Sequence, residues 1–160
     1  MSGFAQAFAP SLMDVDTSAK AVLGVIRRDA NHMYKYVQFG ATRTTNVSGA
    51  LVAGDVVCYV IGTTADLDLC TLVDEANSAV GAGVVVAAIA ATGGPFYGWI
   101  QIKGAATLST TVGGSGAAGD AITTSGASAK AITKRANEND QTVGVYVDAT
   151  NKVALIDFYN

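Results

Sequence analysis

Short runs of alternating apolar and polar residues make up most of this chain, and glycine, proline, asparagine and aspartate separate them. Alternation with a period of two places successive side chains on opposite faces of a β strand, and the separating residues favour tight turns. The pattern therefore predicts an all-β domain. The predicted strands are 21–28, 32–39, 56–61, 68–73, 83–90, 96–103, 143–148 and 152–158.

The longest run of β-branched residues lies in GVVVAAIAATGGPFYGWIQIKG, residues 83–104, which also holds the only tryptophan. This stretch is typical of two apolar strands joined by a Gly-Gly-Pro turn. Two other stretches, 24–40 and 144–158, also begin with Gly-Val, follow one strand, turn and return through a second. The sequence therefore predicts three similar hairpins with two longer segments between them.

Parts of the first half of the chain recur in the second half. The matched segments are YVQFGA at 36–41 with WIQIKGA at 99–105, and ALVAGDVV at 50–57 with GAAGDAI at 116–122. The offsets are nearly equal, so we predict an internal duplication in which 36–88 and 99–148 are related halves. Two units are too few for a solenoid. We therefore expect a compact β-barrel or sandwich built from hairpins, with few open edges.

The first twenty residues, MSGFAQAFAPSLMDVDTSAK, keep neither a helical nor a strand period for long. Phe4, Phe8 and Leu12 are spaced by four, so they share a face on a helix and also along an extended chain. We expect these residues and Pro10 to contact a partner or a neighbouring subunit. A frayed terminus is the other interpretation. The predicted organisation is an N-terminal arm at 1–20 and a β-rich domain at 21–160.

Composition indicates a protein that does not work as an isolated monomer. Half of the residues are hydrophobic and only 14% are charged, so the surface must consist largely of serine, threonine, alanine and glycine. Such a surface is poorly solvated, which favours a homo-oligomer or a protein that coats something. The net charge of −3 argues against nucleic acid as the main partner.

A membrane is not an expected partner either. No run of about 18 uncharged apolar residues could span a bilayer. The N-terminus lacks the basic start and the apolar core of a signal peptide. We therefore expect the protein to be made and folded in a cytoplasm.

The residues that carry chemistry do not form a catalytic pattern. The single histidine, His32, has no serine or cysteine in a matching motif, and neither G-x-S-x-G nor a phosphate-binding loop occurs. Asp66 and Asp68 would share one face of a strand, but they lack the calcium-loop pattern and are expected to be solvated. We therefore expect no enzyme activity, no cofactor and no metal site.

The two cysteines would lie opposite each other in a hairpin centred on Thr64. A disulfide between Cys58 and Cys70 would need suitable cross-strand geometry. A reducing cytoplasm instead favours two buried thiols. A metal site would need further ligands.

Tyr36 and Trp99 occupy matching positions in the two predicted halves. Together with Tyr34 and Tyr97 they could form a platform on which sugars or single-stranded bases stack. Bulky aromatic residues at equivalent positions more often fill equivalent pockets in a core or an interface. We therefore predict that Tyr36 and Trp99 lie in the core or at a contact with a partner.

Taken in this order, the chain resembles the small head-decoration, or cement, proteins of tailed bacteriophages. The resemblance covers roughly 20–160. It rests on a Gly/Ala/Thr/Val-rich composition, on the A-G-D turns at 53–55 and 118–120, on the strand YKYVQFGA and on the closing VGVYVDATNKVALIDF at 143–158. It implies a β-rich body, often a homotrimer, that binds the outer surface of the capsid and stabilises it. An N-terminal arm would contact the major capsid protein, and no catalytic residues are implied.

Two other functions stay open at this stage. The chain could be a domain of a phage fibre or other surface structure that binds a host glycan. It could also be a small β-barrel enzyme or ligand carrier. Glycan binding by the isolated protein would favour the first of these, and absence from purified virions would favour the second.

Overall fold

The computed structural model describes residues 10–40, 50–60, 66–72, 80–90, 95–124, 127 and 130–158. These residues form ten β strands and no helix, so the predicted all-β fold is confirmed. The strands are β1 (Ile26–Asp29), β2 (His32–Phe39), β3 (Val56–Val60), β4 (Asp66–Leu72), β5 (Gly81–Val85), β6 (Phe96–Thr107), β7 (Ala121–Thr123), β8 (Thr133–Lys134), β9 (Gly144–Asp148) and β10 (Val153–Asp157). No helix able to cross a membrane occurs in these ranges.

All ten strands belong to one sheet, in the order β1-β2-β4-β3-β5-β6-β10-β9-β7-β8. Neighbouring strands are antiparallel except β2 and β4, which are parallel. β2 also pairs with β6 over most of its length, so the sheet bends and joins two strands that the order otherwise separates. The described sheet as a whole ends at β1 and β8 and is not closed into one barrel, although the β2–β6 pairing connects β2, β4, β3, β5 and β6 in a ring. A barrel that contains all the strands is therefore not present, and the sandwich stays a prediction.

The long strand β6 shows how the sheet builds its core. Its even-numbered residues are buried from Phe96 to Ala106, whereas Lys103, Ala105 and Thr107 are exposed. The buried side chains join those of neighbouring strands in one apolar cluster, and burying each large one contributes about 1.5–3 kcal/mol. The members with no solvent exposure are Val37, Phe39, Val57, Ala82, Ile100, Ile122, Val143 and Ala154.

Two of the strands that differ from the prediction at their ends have a clear cause. The first begins later than expected, because Gly24 has a φ of +82°, outside the β region. The strand predicted to reach residue 90 ends at Val85. Beyond it the chain leaves β6, and Ile89 instead exchanges two backbone hydrogen bonds of 2.9 Å with Leu51. A single apolar run thus pairs first with neighbouring strands and then, at Ile89, with the isolated residue Leu51.

The β3–β4 hairpin corrects the expected position of the cysteines. Its register places Cys58 opposite Thr71 and Cys70 opposite Tyr59. The two cysteines are therefore not directly opposite each other, and the register expected for a cross-strand disulfide is not present. Cys58 is a buried thiol. For this residue the structure therefore agrees with the expectation of buried thiols and not with that of a disulfide.

The two A-G-D turns share one geometry. In each turn the aspartate carboxylate accepts a hydrogen bond from the backbone N–H three residues earlier, at 2.9 Å for Asp55 and 2.7 Å for Asp120. The preceding glycines, Gly54 and Gly119, have φ values of +91° and +94°. These are left-handed conformations that favour glycine. The same three letters thus produce the same turn at both places.

The strands after these turns also pair in the same way. β3 lies beside β5, with Val57 opposite Gly83, and β7 lies beside β9, with Ile122 opposite Gly144. These likenesses are local. The equivalence of the two complete halves, and with it the duplication, stays a prediction.

Candidate contact surface

The end of the N-terminal segment is attached to β6 through its backbone. Asp16 and Tyr97 exchange two hydrogen bonds, of 3.0 and 2.8 Å. Val15 packs against the apolar cluster. A Cβ added to Gly98 would lie 3.4 Å from the carbonyl oxygen of Asp14, an ordinary van der Waals distance, so the segment packs directly on this part of β6. The last part of the segment assigned to the arm therefore contacts the domain.

From Asp16 the chain crosses to β2. The N–H of Tyr36 donates to the carbonyl oxygen of Val25 at 3.0 Å. Between these two attachments, the backbone N–H of Lys20 donates to the hydroxyl of Tyr36 at 3.1 Å. We call residues 16–25 the strap, because they run from an attachment on β6 to an attachment on β2. The strap fixes the direction from which the preceding residues leave the domain.

Tyr36 and Trp99 form one aromatic pair, and the hydroxyl of Tyr36 contacts the strap. They are direct partners across β2 and β6, and their ring centroids are 5.2 Å apart at an interplanar angle of 62°. This is an edge-to-face contact, which aromatic rings favour. Tyr36 is 0% exposed and Trp99 is 3% exposed. Neither ring can therefore serve as an open stacking platform, and any contact role would be to support the surface above them.

The aromatic pair also holds an unsatisfied polar atom. The indole Nε1 of Trp99 is buried and has no hydrogen-bond partner among the described residues. Leaving a buried donor unpaired costs about 1–3 kcal/mol. Within the part of the chain that the structure describes, packing of the large ring therefore holds Trp99 in place.

We expect the protein to lose stability as the pH rises above about 10. Burial, the largest cause, raises the pKa of Tyr36 above its ordinary value of 10.0, and the Lys20 backbone hydrogen bond opposes this shift. The folded state thus keeps the phenol proton to higher pH than the unfolded state. This contribution is complete below the unfolded pKa and is lost as the pH rises through the folded pKa. Burial likewise raises the pKa of Tyr34.

Denaturant titrations at about pH 9 and about pH 11 would measure this loss. The variant Tyr36→Phe should show a smaller loss between the two pH values, although it is less stable at both because it lacks the hydroxyl. An identical loss in the variant and the original protein would contradict the assignment.

The residues before the strap form a turn at the surface. The carboxylate of Asp14 accepts a hydrogen bond from the N–H of Ser11 at 2.9 Å, and the carbonyl oxygen of Ser11 accepts one from the N–H of Asp14 at 3.1 Å. Pro10 and Leu12 are half-buried, whereas Met13 is 65% exposed. Pro10 and Leu12 thus lie where the chain reaches solvent.

The six contact residues predicted from the sequence fall into three groups. Phe4 and Phe8 lie outside the described residues. Pro10 and Leu12 lie in the surface turn, and Tyr36 and Trp99 form the buried aromatic pair. The attachment of Asp16 to Tyr97 was not predicted from the sequence. Its signal was the polar–apolar–polar alternation of Asp-Val-Asp at 14–16, which has the period of a strand.

An open pocket lies at the far end of β6. Its volume is about 310 Å³, and its lining includes the half-buried Tyr34 together with Gln101 and Thr107. The side-chain nitrogen of Gln101 donates hydrogen bonds to the carbonyl oxygens of Lys103 and Ala105, at 3.2 and 2.9 Å. These bonds do not use the side-chain oxygen of Gln101. The full lining is Tyr34, Ala53, Gly54, Val84, Val85, Val86, Gln101, Ala106, Thr107 and Leu108.

The ionisable residues have structural roles where the contacts are clear. Asp148 closes the β9–β10 turn by accepting backbone hydrogen bonds from Thr150 and Asn151, at 2.9 and 3.0 Å. The Asn151 side chain also donates to it, and this bond is the largest cause that lowers the pKa of Asp148. The Ala117 backbone bond is the largest cause that lowers the pKa of Asp120.

Within the described ranges, no three His, Cys, Asp or Glu side chains are placed to hold a metal ion. His32 lies beside Tyr34, with ring centroids 6.3 Å apart. The side chains of Asp66 and Asp68 lie outside what the structure describes. The expectation of solvated acids at those two positions stays a prediction.

Comparisons with models of protein families, with curated proteins and with solved structures give no match to this chain.

Proposed function

We propose that this chain is a capsid decoration protein, which binds the outer surface of a tailed-phage capsid and cements it. One observation carries the proposal: the strap anchors the N-terminal segment to the sheet, so the residues before Pro10 start from a fixed point at the surface. Such an anchored segment suits an arm that reaches a neighbouring protein. Our proposal includes the major capsid protein as partner, a homotrimer as the assembled form and no enzyme activity.

The arm would act through Phe4 and Phe8. Burying both rings in pockets of a partner would contribute roughly 3–6 kcal/mol. Ordering the residues that carry them costs roughly 1–2 kcal/mol each, which offsets much of this gain. A single arm would therefore bind weakly, whereas many copies on one lattice would hold firmly. Such binding suits a protein that stabilises a capsid only when many copies cover the capsid surface.

Purified particles of the virus that encodes the chain would test the proposal. We expect the protein in each particle in an amount proportional to the major capsid protein, and accessible to an antibody from outside. A full particle that lacks the protein would reject the proposal. Protein found only inside the particle would reject the outer location.

Glycan binding by a fibre or other surface domain is the second candidate, and the pocket beside Tyr34 favours it. An aromatic ring can stack on the apolar face of a sugar, while an amide and a hydroxyl bind its polar edge. Binding to a glycan array should then be lost in Tyr34→Ala. It should persist in Tyr97→Ala, whose side chain lies outside this pocket. Absence of binding by the original protein would reject this candidate.

A further inference from the structure

A row of apolar side chains crosses four neighbouring strands on the solvent side of the sheet. Val145 of β9 is the direct partner of Leu155 of β10, and Leu155 is the direct partner of Ala105 of β6. On the other side, Val145 is opposite Ala121 of β7. Directly opposed residues place their side chains on the same face. We call these four residues the apolar row.

The large members of the row are exposed to solvent in the single chain. Leu155 is 54% exposed and Val145 is 40% exposed, and Val147, two residues further along β9, is 51% exposed. Contiguous apolar surface of this kind marks a contact site more often than isolated exposed residues do. The apolar cluster lies on the opposite face, so the row has no partner within the described part of the chain.

The charges beside the row are balanced. Lys103 and Asp157 are direct strand partners two residues from Ala105 and Leu155, and their side chains form an exposed ion pair with a distance of 2.7 Å. The face thus offers one positive and one negative group at this border. A partner with a strong net charge gains no net electrostatic attraction from such a border. A surface that also carries one positive and one negative group can pair both of them with the border.

We propose that this face binds the same face of a second copy of the chain. A two-fold axis that runs parallel to the strands, between β6 and β10, places Leu155 of each copy over the small Ala105 of the other. The same axis places Lys103 of each copy near Asp157 of the other. Both the apolar and the charged features are therefore self-complementary, as a two-fold contact requires.

The size of the face sets the strength of this contact. Four strands about 4.8 Å apart and roughly four residues long, at about 3.3 Å per residue, give on the order of 300 Å² per copy. The total is well under the roughly 1,200 Å² of a stable complex. We therefore expect weak, concentration-dependent association of the purified chain. The inference depends neither on the capsid proposal nor on the proposed homotrimer, because a two-fold contact joins one copy to one other copy and needs no capsid to be observed.

Sedimentation equilibrium of the full chain, from about 10 µM to about 1 mM, tests the contact. We expect a rising dimer fraction, and a dissociation constant at least about tenfold weaker in Leu155→Glu. The matched control is Val22→Glu, an 80% exposed apolar residue outside the row, which should leave association unchanged. Circular dichroism establishes that both variants fold. A chain that stays monomeric throughout, or two variants with the same effect, would overturn the proposal.

The ion pair gives a second test of the same geometry. Lys103→Asp carries two acids at the border of the face, and Asp157→Lys carries two lysines. Each variant alone should associate at least about tenfold more weakly than the original, whereas an equal mixture should form a mixed dimer. Failure of the mixture to associate more strongly than either variant would overturn the arrangement. A monomeric chain whose Leu155→Glu variant no longer attaches to capsids would assign the face to the capsid instead.

Discussion

Replacing Gly54 by alanine should destabilise the protein by about 1–3 kcal/mol more than replacing Gly119 by alanine. Both glycines have nearly the same left-handed φ, +91° and +94°, which costs an alanine about 1–2 kcal/mol at either place. Their surroundings differ. A Cβ on Gly54 would lie 2.6 Å from the backbone nitrogen of Ser109 and 2.8 Å from the carbonyl oxygen of Thr107, whereas one on Gly119 meets nothing within 4 Å.

The two variants are matched controls for each other. Because the atoms that collide at Gly54 are backbone, they cannot rotate away as a side chain would. Urea titrations of both variants give the free energies of unfolding that the comparison needs. Equal costs at the two positions would contradict the packing of the first A-G-D turn against the end of β6.

Two truncations of the N-terminus should distinguish the residues that attach this segment to the domain from the residues that are proposed to bind the capsid. Removing residues 2–9 should leave the free energy of unfolding within about 0.5 kcal/mol, because the strap and Val15 are kept. Removing residues 2–18 should lower it by about 2–4 kcal/mol. That deletion takes away two backbone hydrogen bonds at about 0.5–1.5 kcal/mol each and the partial burial of Val15. Denaturant titration measures both effects.

The arm proposal adds a second readout for the same truncations. Both should reduce the amount of protein bound to capsids, since both lack Phe4 and Phe8. Full occupancy after removal of 2–9 would make these residues a frayed terminus. A loss of stability in that variant equal to the loss in the longer deletion would show that residues 2–9 belong to the domain.

The strand pattern was predictable wherever apolar and polar residues alternate. β2, β6, β9 and β10 lie close to where the alternation placed them, because each buries at least one face. β6 nevertheless extends to Thr107, past the predicted end at 103. Its last residues are small and carry little pattern, and they become a strand because β10 pairs with them. Local sequence cannot supply that partner.

The candidate surface was only partly predictable, for the same reason. Burial of Tyr36 and Trp99 followed from their size and position. The strap did not, because it depends on Asp16 meeting Tyr97, which is distant in sequence. The direct pairing of Tyr36 with Trp99 was also not expected, since the sequence matches them as equivalents and gives no strand order.

An image of capsids mixed with the purified protein is the most direct test of the proposed function. Capsids of the encoding virus that lack the protein would be incubated with the full chain, washed and imaged by cryo-electron microscopy. We expect added density on the outer surface, repeated at equivalent lattice positions and large enough for the β-rich domain. Capsids that show no added density, although the protein is folded and in excess, would contradict the account.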